Sequence, residues 1–273
     1  MVTGLISGTI AILLGDGCGN FERGQDVSVG AVSLSVVVGD FNRDGVADLA
    51  VTVSNDVLVL LGTGDGTFQS CSRIAVGEHP AALSVGDFDG DGIADLAVVN
   101  ARSNDLWVLL GRGDGTFEKR SILDAVRPVA LVVVDLNGDG YEDLAVTSLG
   151  QFSGYPGTLS VFLGRGDGTF RETRELATSA EPYSIAAADF NDDGFPDLVI
   201  SHWFAANVAV MLGNGDGSFQ VARYFGAGVN PAAVVVSDFN RDGKPDIAVS
   251  VRSQVSINPG DVAILINNTG CSR

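Results

Sequence analysis

The sequence predicts an all-β fold, a β-propeller of four-stranded blades, and three observations support this prediction. An acidic nine-residue motif occurs five times, 36 glycines and short runs of Val, Leu and Ala are typical of strands joined by tight turns, and no stretch sustains a helical period. Successive motifs begin 47, 48, 54 and 49 residues apart, which is the length of a propeller blade. Because repeats bury their apolar faces against their neighbours, residues 1–273 are predicted to form a single domain.

The motif is clearest at Asp87–Asp95, where oxygen-bearing side chains stand at positions one, three, five and nine and a glycine at position six. Alternate side chains of such a turn converge on one point, and the glycine lets the backbone reverse, so the motif predicts a calcium loop. An EF-hand loop would have Glu at position twelve, but Val98 occupies that position within a β-branched run. The loop is therefore predicted to connect two strands.

Five calcium ions with a structural role are predicted, each held by four side chains and the main-chain carbonyl of position seven. The predicted side-chain ligands are Asp40, Asn42, Asp44, Asp48, Asp87, Asp89, Asp91, Asp95, Asp135, Asn137, Asp139, Asp143, Asp189, Asn191, Asp193, Asp197, Asp238, Asn240, Asp242 and Asp246. The predicted carbonyl ligands are those of Val46, Ile93, Tyr141, Phe195 and Lys244.

Each motif lies inside a unit of four predicted strands. In the unit of Asp87 these are Ala81–Val85, Asp95–Val99, Leu106–Leu110 and a strand that begins at Phe117. The last two strands are joined by a repeated glycine turn such as Gly111–Phe117, which predicts a hairpin with positive φ and a Phe that packs into the core.

Six units are predicted, of which the first lacks its first strand and the last lacks its fourth. Their approximate bounds are residues 1–30, 31–77, 78–125, 126–179, 180–228 and 229–273. Two alternatives remain: a segment of a larger ring, or a five-bladed ring in which Asn20–Val29 supplies the fourth strand of the last blade. Incomplete terminal blades leave strand edges that favour oligomerisation.

The loop Asp87–Asp95 and the turn Gly111–Phe117, with their repeats, resemble the FG-GAP or VCBS-type repeat family, and the resemblance covers nearly the whole chain. It implies a β-propeller with calcium in the loops between first and second strands, as in the integrin α-subunit head, certain fungal lectins and many secreted bacterial proteins.

Composition restricts the partners and the location. A net charge of −18 argues against nucleic acid and anionic membrane, and no run reaches the roughly twenty apolar residues of a membrane span. The apolar start Met1–Leu14 lacks a basic segment and does not predict a signal peptide. Calcium loops nevertheless predict an extracellular or cell-surface protein. Cys18, Cys71 and Cys271 allow one disulfide pair at most.

Catalysis is not predicted. His79 and His202 are the only histidines, no nucleophile elbow is present, and carboxylates that bind a cation are held ionised and cannot act as general acids. The tripeptides Arg112–Asp114 and Arg165–Asp167 match an integrin-binding sequence, but they belong to the repeated glycine turn and are interpreted as structural.

The connections between second and third strands differ from unit to unit, as loops that carry function on a rigid scaffold do. The connections Ser148–Gly157 and Ser201–Asn207 are expected to lie side by side and to offer a binding set of Phe152, Tyr155, His202, Trp203 and Phe204. Inward packing of Trp203 and Phe204 is the structural alternative. The predicted function is a calcium-stabilised, non-catalytic recognition or adhesion module for a glycan or protein. The alternatives are a polysaccharide-cleaving enzyme domain and a purely structural repeat segment.

Overall fold

The computed structural model describes residues 2–3, 8–252 and 260–268, with the side chains of residues 8–171, 175–252 and 260–268. Throughout these residues the regular secondary structure is β-strand, without a helix. Cys18 and Cys71 are exposed free thiols, and Cys271 lies outside the described residues. The all-β prediction is confirmed.

The strands are numbered along the chain and described in six consecutive groups, called blades 1 to 6 after the predicted units that they follow. Blade 1 holds β1 (Val2–Thr3), β2 (Thr9–Ala11), β3 (Leu13–Gly15), β4 (Phe21–Arg23) and β5 (Val27–Ser28). Blade 2 holds β6 (Val36–Gly39), β7 (Asp48–Val53), β8 (Asp56–Gly62) and β9 (Phe68–Ala75). Blade 3 holds β10 (Pro80–Gly86), β11 (Asp95–Asn100), β12 (Asp105–Gly111) and β13 (Phe117–Asp124).

Blades 4 to 6 continue the pattern. Blade 4 holds β14 (Pro128–Val134), β15 (Asp143–Ser148), β16 (Pro156–Gly164) and β17 (Phe170–Ala180). Blade 5 holds β18 (Pro182–Ala188), β19 (Asp197–His202), β20 (Asn207–Met211) and β21 (Arg223–Gly226). Blade 6 holds β22 (Pro231–Ser237), β23 (Asp246–Val251) and β24 (Asp261–Leu265).

Each of blades 2 to 5 is a four-stranded antiparallel sheet whose strands pair in sequence order. The second strands of blades 2 to 5 are buried along their whole length, because both of their faces are covered. Their Leu, Val and Ile side chains belong to the core, and burial of each stabilises the fold by about 1.5–3 kcal/mol. The predicted four-stranded unit is confirmed.

The chain divides into two compact units. One comprises residues 1–128 with 166–169, and the other comprises residues 129–165 with 170–273. In the first unit, Phe41, Val59, Leu96 and Leu109 belong to one apolar cluster. In the second unit, Leu136, Leu163, Leu198 and Ile200 form a comparable cluster. The single domain over residues 1–273 stays a prediction.

Consecutive blades of one unit are joined by a repeated contact at the glycine turn. The Gly115 N–H of blade 3 donates to the Phe41 carbonyl of blade 2 at 2.9 Å, and the Phe117 ring packs edge-on against Phe41 at 5.5 Å. The Gly217 N–H likewise donates to the Leu136 carbonyl in the second unit. The turn therefore positions blade 3 on blade 2 and blade 5 on blade 4.

The first and last blades differ from the rest. Blade 1 begins with β1, which pairs with β2, and the short strands β4 and β5 pair with β3 and β2. Among the described residues blade 6 has three strands, and β24 pairs with β23. The number of blades in a closed ring stays a prediction.

Candidate metal loops and aromatic loops

The five acidic loops share one local conformation. The glycine N–H at position six donates to the Asp at position one, and the N–H at position seven donates to the Asp at position five, over 2.7–3.0 Å. Positions four and six both have positive φ, as at Gly90 and Gly92. The side chains at positions one and five therefore turn into their own loop.

Blade 3 carries the loop with aspartate at all four predicted side-chain ligand positions. Carboxylate oxygens of Asp87, Asp89 and Asp95 all lie within 4.8 Å of one another. Burial raises the pKa of Asp89 and raises that of Asp95 to about 6. In this loop a cation would neutralise close carboxylates, and the hard oxygen donors fit calcium.

The aspartate at position nine has a second role that the sequence did not indicate. Its Oδ2 accepts the N–H of position two, as from Phe88 at 2.9 Å, and its Oδ1 accepts the first N–H of the turn, as from Gly111 at 2.7 Å. The same two bonds form at Asp48, Asp143, Asp197 and Asp246, and all five aspartates are buried. The motif therefore also anchors the loop to the turn between third and fourth strands.

The residues at position seven diverge in their exposure. Val46, Ile93 and Lys244 are half-buried, whereas Tyr141 and Phe195 are exposed. The carbonyls of this position stay predicted ligands.

The first glycine of the turn is required because a carbonyl oxygen of the acidic loop lies too close to it to leave room for a Cβ. A Cβ at Gly111 would collide with the Ala94 carbonyl oxygen, and equivalent collisions arise at Gly62, Gly164 and Gly213. The third turn glycine has positive φ, as predicted, at Gly115.

The integrin-like tripeptide in blade 3 is engaged within its own turn. Asp114 accepts hydrogen bonds from the N–H and hydroxyl of Thr116, which lower its pKa, and Arg112 pairs with Glu118 at 2.8 Å. These contacts agree with a structural interpretation of the tripeptide.

The opposite end of blade 4 carries an exposed aromatic pair. Phe152 and Tyr155 lie in residues 149–155, between β15 and β16, and are 65% and 59% exposed. Their rings meet edge to face at 5.6 Å. The Tyr155 N–H donates to the Phe152 carbonyl, so the loop closes on itself.

The corresponding end of blade 5 carries Trp203 and Phe204. Phe204 is 53% exposed, whereas Trp203 is half-buried and stacks at 5.2 Å on Tyr183, itself 50% exposed. Phe204 therefore does not pack inward, and Trp203 is only partly covered. Tyr183 lies in a first strand, so the variable loops gave no indication of it.

Glu181 connects these two aromatic loops. Its carboxylate Oε1 accepts the Ser153 hydroxyl at 2.8 Å and the Gly154 N–H at 3.0 Å. Its main-chain N–H donates to the Tyr155 carbonyl, and its carbonyl accepts the Trp203 N–H at 2.9 Å. One residue therefore holds both loops in a single surface, which we call the aromatic surface: Phe152, Tyr155, Tyr183, Trp203 and Phe204.

His202 was predicted to belong to the binding set, but it is not part of the aromatic surface. It is the last residue of β19 and is fully buried, with its ring 6.2 Å from that of Tyr224. Burial lowers its pKa to about 4, so the side chain is neutral near pH 7. Its position between the paired residues Pro182 and Asn207 explains the burial.

Comparison with known families identifies the repeats. The profile of the FG-GAP-like repeat matches residues 48–98, 87–146, 149–200 and 203–249. The chain belongs to the FG-GAP-like repeat family. A search of curated proteins finds no match.

Several solved structures share the fold at low sequence identity. An Agrocybe aegerita lectin that recognises non-reducing terminal N-acetylglucosamine has a TM-score of 0.61 and 22% identity, over 97% of this chain and 76% of the lectin. A Lactobacillus plantarum protein has a TM-score of 0.63 and 17% identity, over 83% and 67%. A V. cholerae biofilm matrix protein has a TM-score of 0.51 and 20% identity, over 88% of this chain but 38% of its own.

These similarities establish a propeller-type fold for the chain. Among the described residues there is no helix with the length and hydropathy needed to span a bilayer.

Proposed function

We propose that the chain is a calcium-stabilised, non-catalytic recognition module that binds a glycan or protein through its aromatic surface. The observation that carries the proposal is the double anchoring by Glu181, which presents exposed rings from two neighbouring blades as one surface. A preorganised surface loses little side-chain entropy when a ligand binds.

Calcium is proposed in all five acidic loops, with a structural role. The support is the conformation that the five loops share and the carboxylate cluster of Asp87, Asp89 and Asp95. The side chains at positions one, three, five and nine of each loop would hold its ion. Magnesium suits these loops less, because it prefers a small octahedral site with retained waters.

A glycan is the ligand class that the chemistry favours first. Phe152, Tyr155 and Tyr183 are at least half exposed, and the tyrosine hydroxyls add polar groups at the ring edges. Such rings stack on the apolar faces of sugars and also form hot spots in protein interfaces. The lectin of similar fold recognises a terminal N-acetylglucosamine, which makes terminal amino sugars the first probes.

The proposed location is extracellular or at the cell surface. Loops of this kind need free calcium, which is abundant outside cells, and the structurally similar biofilm matrix protein fits such a setting. The net charge of −18 makes nucleic acid an unfavourable partner.

The proposal is tested on a glycan and polysaccharide array with calcium present. We expect a hit whose affinity falls at least tenfold, about 1.4 kcal/mol, in Trp203→Ala and in Tyr155→Ala, while both variants keep the calcium-dependent melting of the parent. Tyr141→Ala is the matched control, because Tyr141 is an exposed aromatic residue at the metal end of blade 4.

Three results would reject the proposal. Turnover of a bound polysaccharide would establish the enzyme alternative. Binding that survives both aromatic substitutions but is lost in Arg112→Ala would place recognition on the glycine turns. A chain that binds nothing on glycan and protein arrays would be a structural repeat segment.

A further inference from the structure

The five acidic loops differ in the side chain at position three. In all five loops, Oδ1 of that side chain accepts the main-chain N–H of position five, over 2.8–3.3 Å. In four loops the residue is Asn, and its amide also donates to the carboxylate at position five, over 2.8–3.0 Å. In blade 3 the residue is Asp89, which has a second carboxylate oxygen in place of the amide nitrogen. The amide therefore stabilises the position-five carboxylate in four loops, and the blade 3 loop has no such amide.

The carboxylates of the blade 3 loop lie unusually close together. Among the described residues, Asp87, Asp89 and Asp95 are the one group of three acidic, His or Cys side chains whose ligand atoms all lie within 4.8 Å of one another. Like charges at such distances repel, and the loop contains no basic residue that would compensate them. A cation bound in this loop would therefore relieve more repulsion than one bound in a loop with three aspartates.

The blade 6 loop lies at the other extreme of charge. Its nine residues, Asp238–Asp246, contain three aspartates together with Arg241 at position four and Lys244 at position seven, so their net charge is −1. The blade 3 loop, Asp87–Asp95, contains four aspartates and no basic residue, so its net charge is −4. Arg241 is exposed and has a φ of 63°, at the position where blade 3 has Gly90. Positive charges within a loop oppose the binding of a cation.

The blade 6 loop is connected to the rest of its compact unit through its position-nine aspartate. Asp246 accepts the N–H of Phe239 at 3.1 Å and that of Asn267, beyond β24, at 2.8 Å. The Asn267 amide in turn donates to the Phe190 carbonyl of blade 5 at 2.8 Å. An ion in the blade 6 loop would therefore also stabilise the end of β24 and its contact with blade 5.

We infer that the calcium sites differ in affinity: the blade 3 loop binds tightest through Asp89, and the blade 6 loop binds weakest because of Arg241 and Lys244. The inference rests on the calcium-stabilised function proposed above. The number of ligand charges is one of the main determinants of calcium affinity in loops of oxygen ligands. At calcium concentrations between the two dissociation constants, the blade 3 loop is filled and the blade 6 loop is not. Blade 6 is then the part of the chain whose local stability responds to calcium.

The test is hydrogen exchange of the whole chain, followed by mass spectrometry at increasing calcium concentration. Each loop is described by the calcium concentration at which half of its calcium-dependent protection is reached. We expect this concentration to be at least tenfold lower for residues 87–95 than for residues 238–246. Asp89→Asn, which gives blade 3 the position-three residue of the other loops, should raise the value for residues 87–95 at least fivefold and leave that for residues 238–246 unchanged.

The reciprocal variant is Arg241→Gly with Lys244→Val, which gives the blade 6 loop the residue types of Gly90 and Val46. It should lower the half-protection concentration of residues 238–246 at least tenfold. Arg102→Ala with Arg252→Ala is the matched control, because it removes the same charge from two exposed side chains at the opposite end of the blades. The control should leave the values for both loops unchanged.

The outcomes separate this inference from the proposed function. Calcium-dependent protection of all five loops at one common concentration, or of blade 6 before blade 3, overturns the inference and leaves structural calcium in place. An equal shift in the reciprocal variant and in its control also overturns it, because the effect would then follow the overall charge. If calcium changes the protection of no loop and calorimetry detects no binding, the calcium-stabilised function itself is rejected.

Discussion

The two ends of the blades obey different constraints. At the end that carries the acidic loops, all five loops share the hydrogen bonds donated by positions six and seven, and each position-nine aspartate connects its loop to the start of the next turn. At the opposite end, the connections between second and third strands run over residues 54–55, 101–104, 149–155 and 203–206, each with its own contacts. The end that carries the acidic loops therefore builds the fold, while the opposite end is free to differ from blade to blade.

Removal of the proposed calcium ions is expected to have the largest effect on stability. When the calcium concentration is one hundred times the dissociation constant, each site stabilises the folded state by about 2.7 kcal/mol, and five such sites act together. Chelation is expected to lower the melting temperature by about 10 °C or more, since 1 kcal/mol shifts a chain of this size by about 2–4 °C.

Calorimetric titration of the chelated protein should return five calcium ions per chain, and magnesium should restore less of the melting temperature. An unchanged melting temperature after chelation would rule out a structural role for the acidic loops.

The second prediction separates the two roles of a position-nine aspartate. In Asp95→Ala the N–H groups of Phe88 and Gly111 lose a buried acceptor, at about 1–3 kcal/mol each, so the free energy of unfolding should fall by about 2–6 kcal/mol. Urea unfolding with calcium and with chelator is the measurement.

Part of the loss should persist in chelator, because the hydrogen bonds do not need the ion. Asp114→Ala, which removes an exposed turn carboxylate, is the control and should leave the unfolding midpoint nearly unchanged. If the free energy of unfolding falls only when calcium is present, Asp95 acts through metal binding alone.

The smallest effect on stability is expected from protonation of the buried His202, at the end of the blades opposite the acidic loops. Its folded pKa of about 4 lies below the ordinary 6.5, so the unfolded chain binds the extra proton between these values. Stability from neutral His202 is complete above pH 6.5 and is lost as pH falls towards 4, by up to about 3 kcal/mol.

This contribution is measured as the difference between the parent and His202→Gln across pH 4–7, with calcium saturating. His79→Gln is the control, because His79 is exposed. Parallel stability curves for the parent and His202→Gln would contradict the burial of this side chain.

Much of the fold could be predicted because repetition makes its pattern visible. Strands predicted at Ala81–Val85 and Leu106–Leu110 lie within β10 and β12. The candidate site could be predicted from the sequence only in part. Phe152, Tyr155 and Phe204 are exposed as predicted, but the variable loops alone did not reveal Glu181, Tyr183 or the burial of His202.

The sequence by itself determined the features that depend on local spacing. Alternating oxygen side chains around Gly92 define a loop, and turn glycines such as Gly115 permit positive φ, whatever the rest of the chain does. Tertiary structure alone decided the features that need distant neighbours. Strand pairing brings Gly111 against the Ala94 carbonyl and gives Asp95 its second hydrogen bond. Blade packing buries Phe41 but leaves Phe239 43% exposed, although the two stand at the same position of the repeat. Burial depends on which surface arrives from the next blade, and no local pattern contains that information.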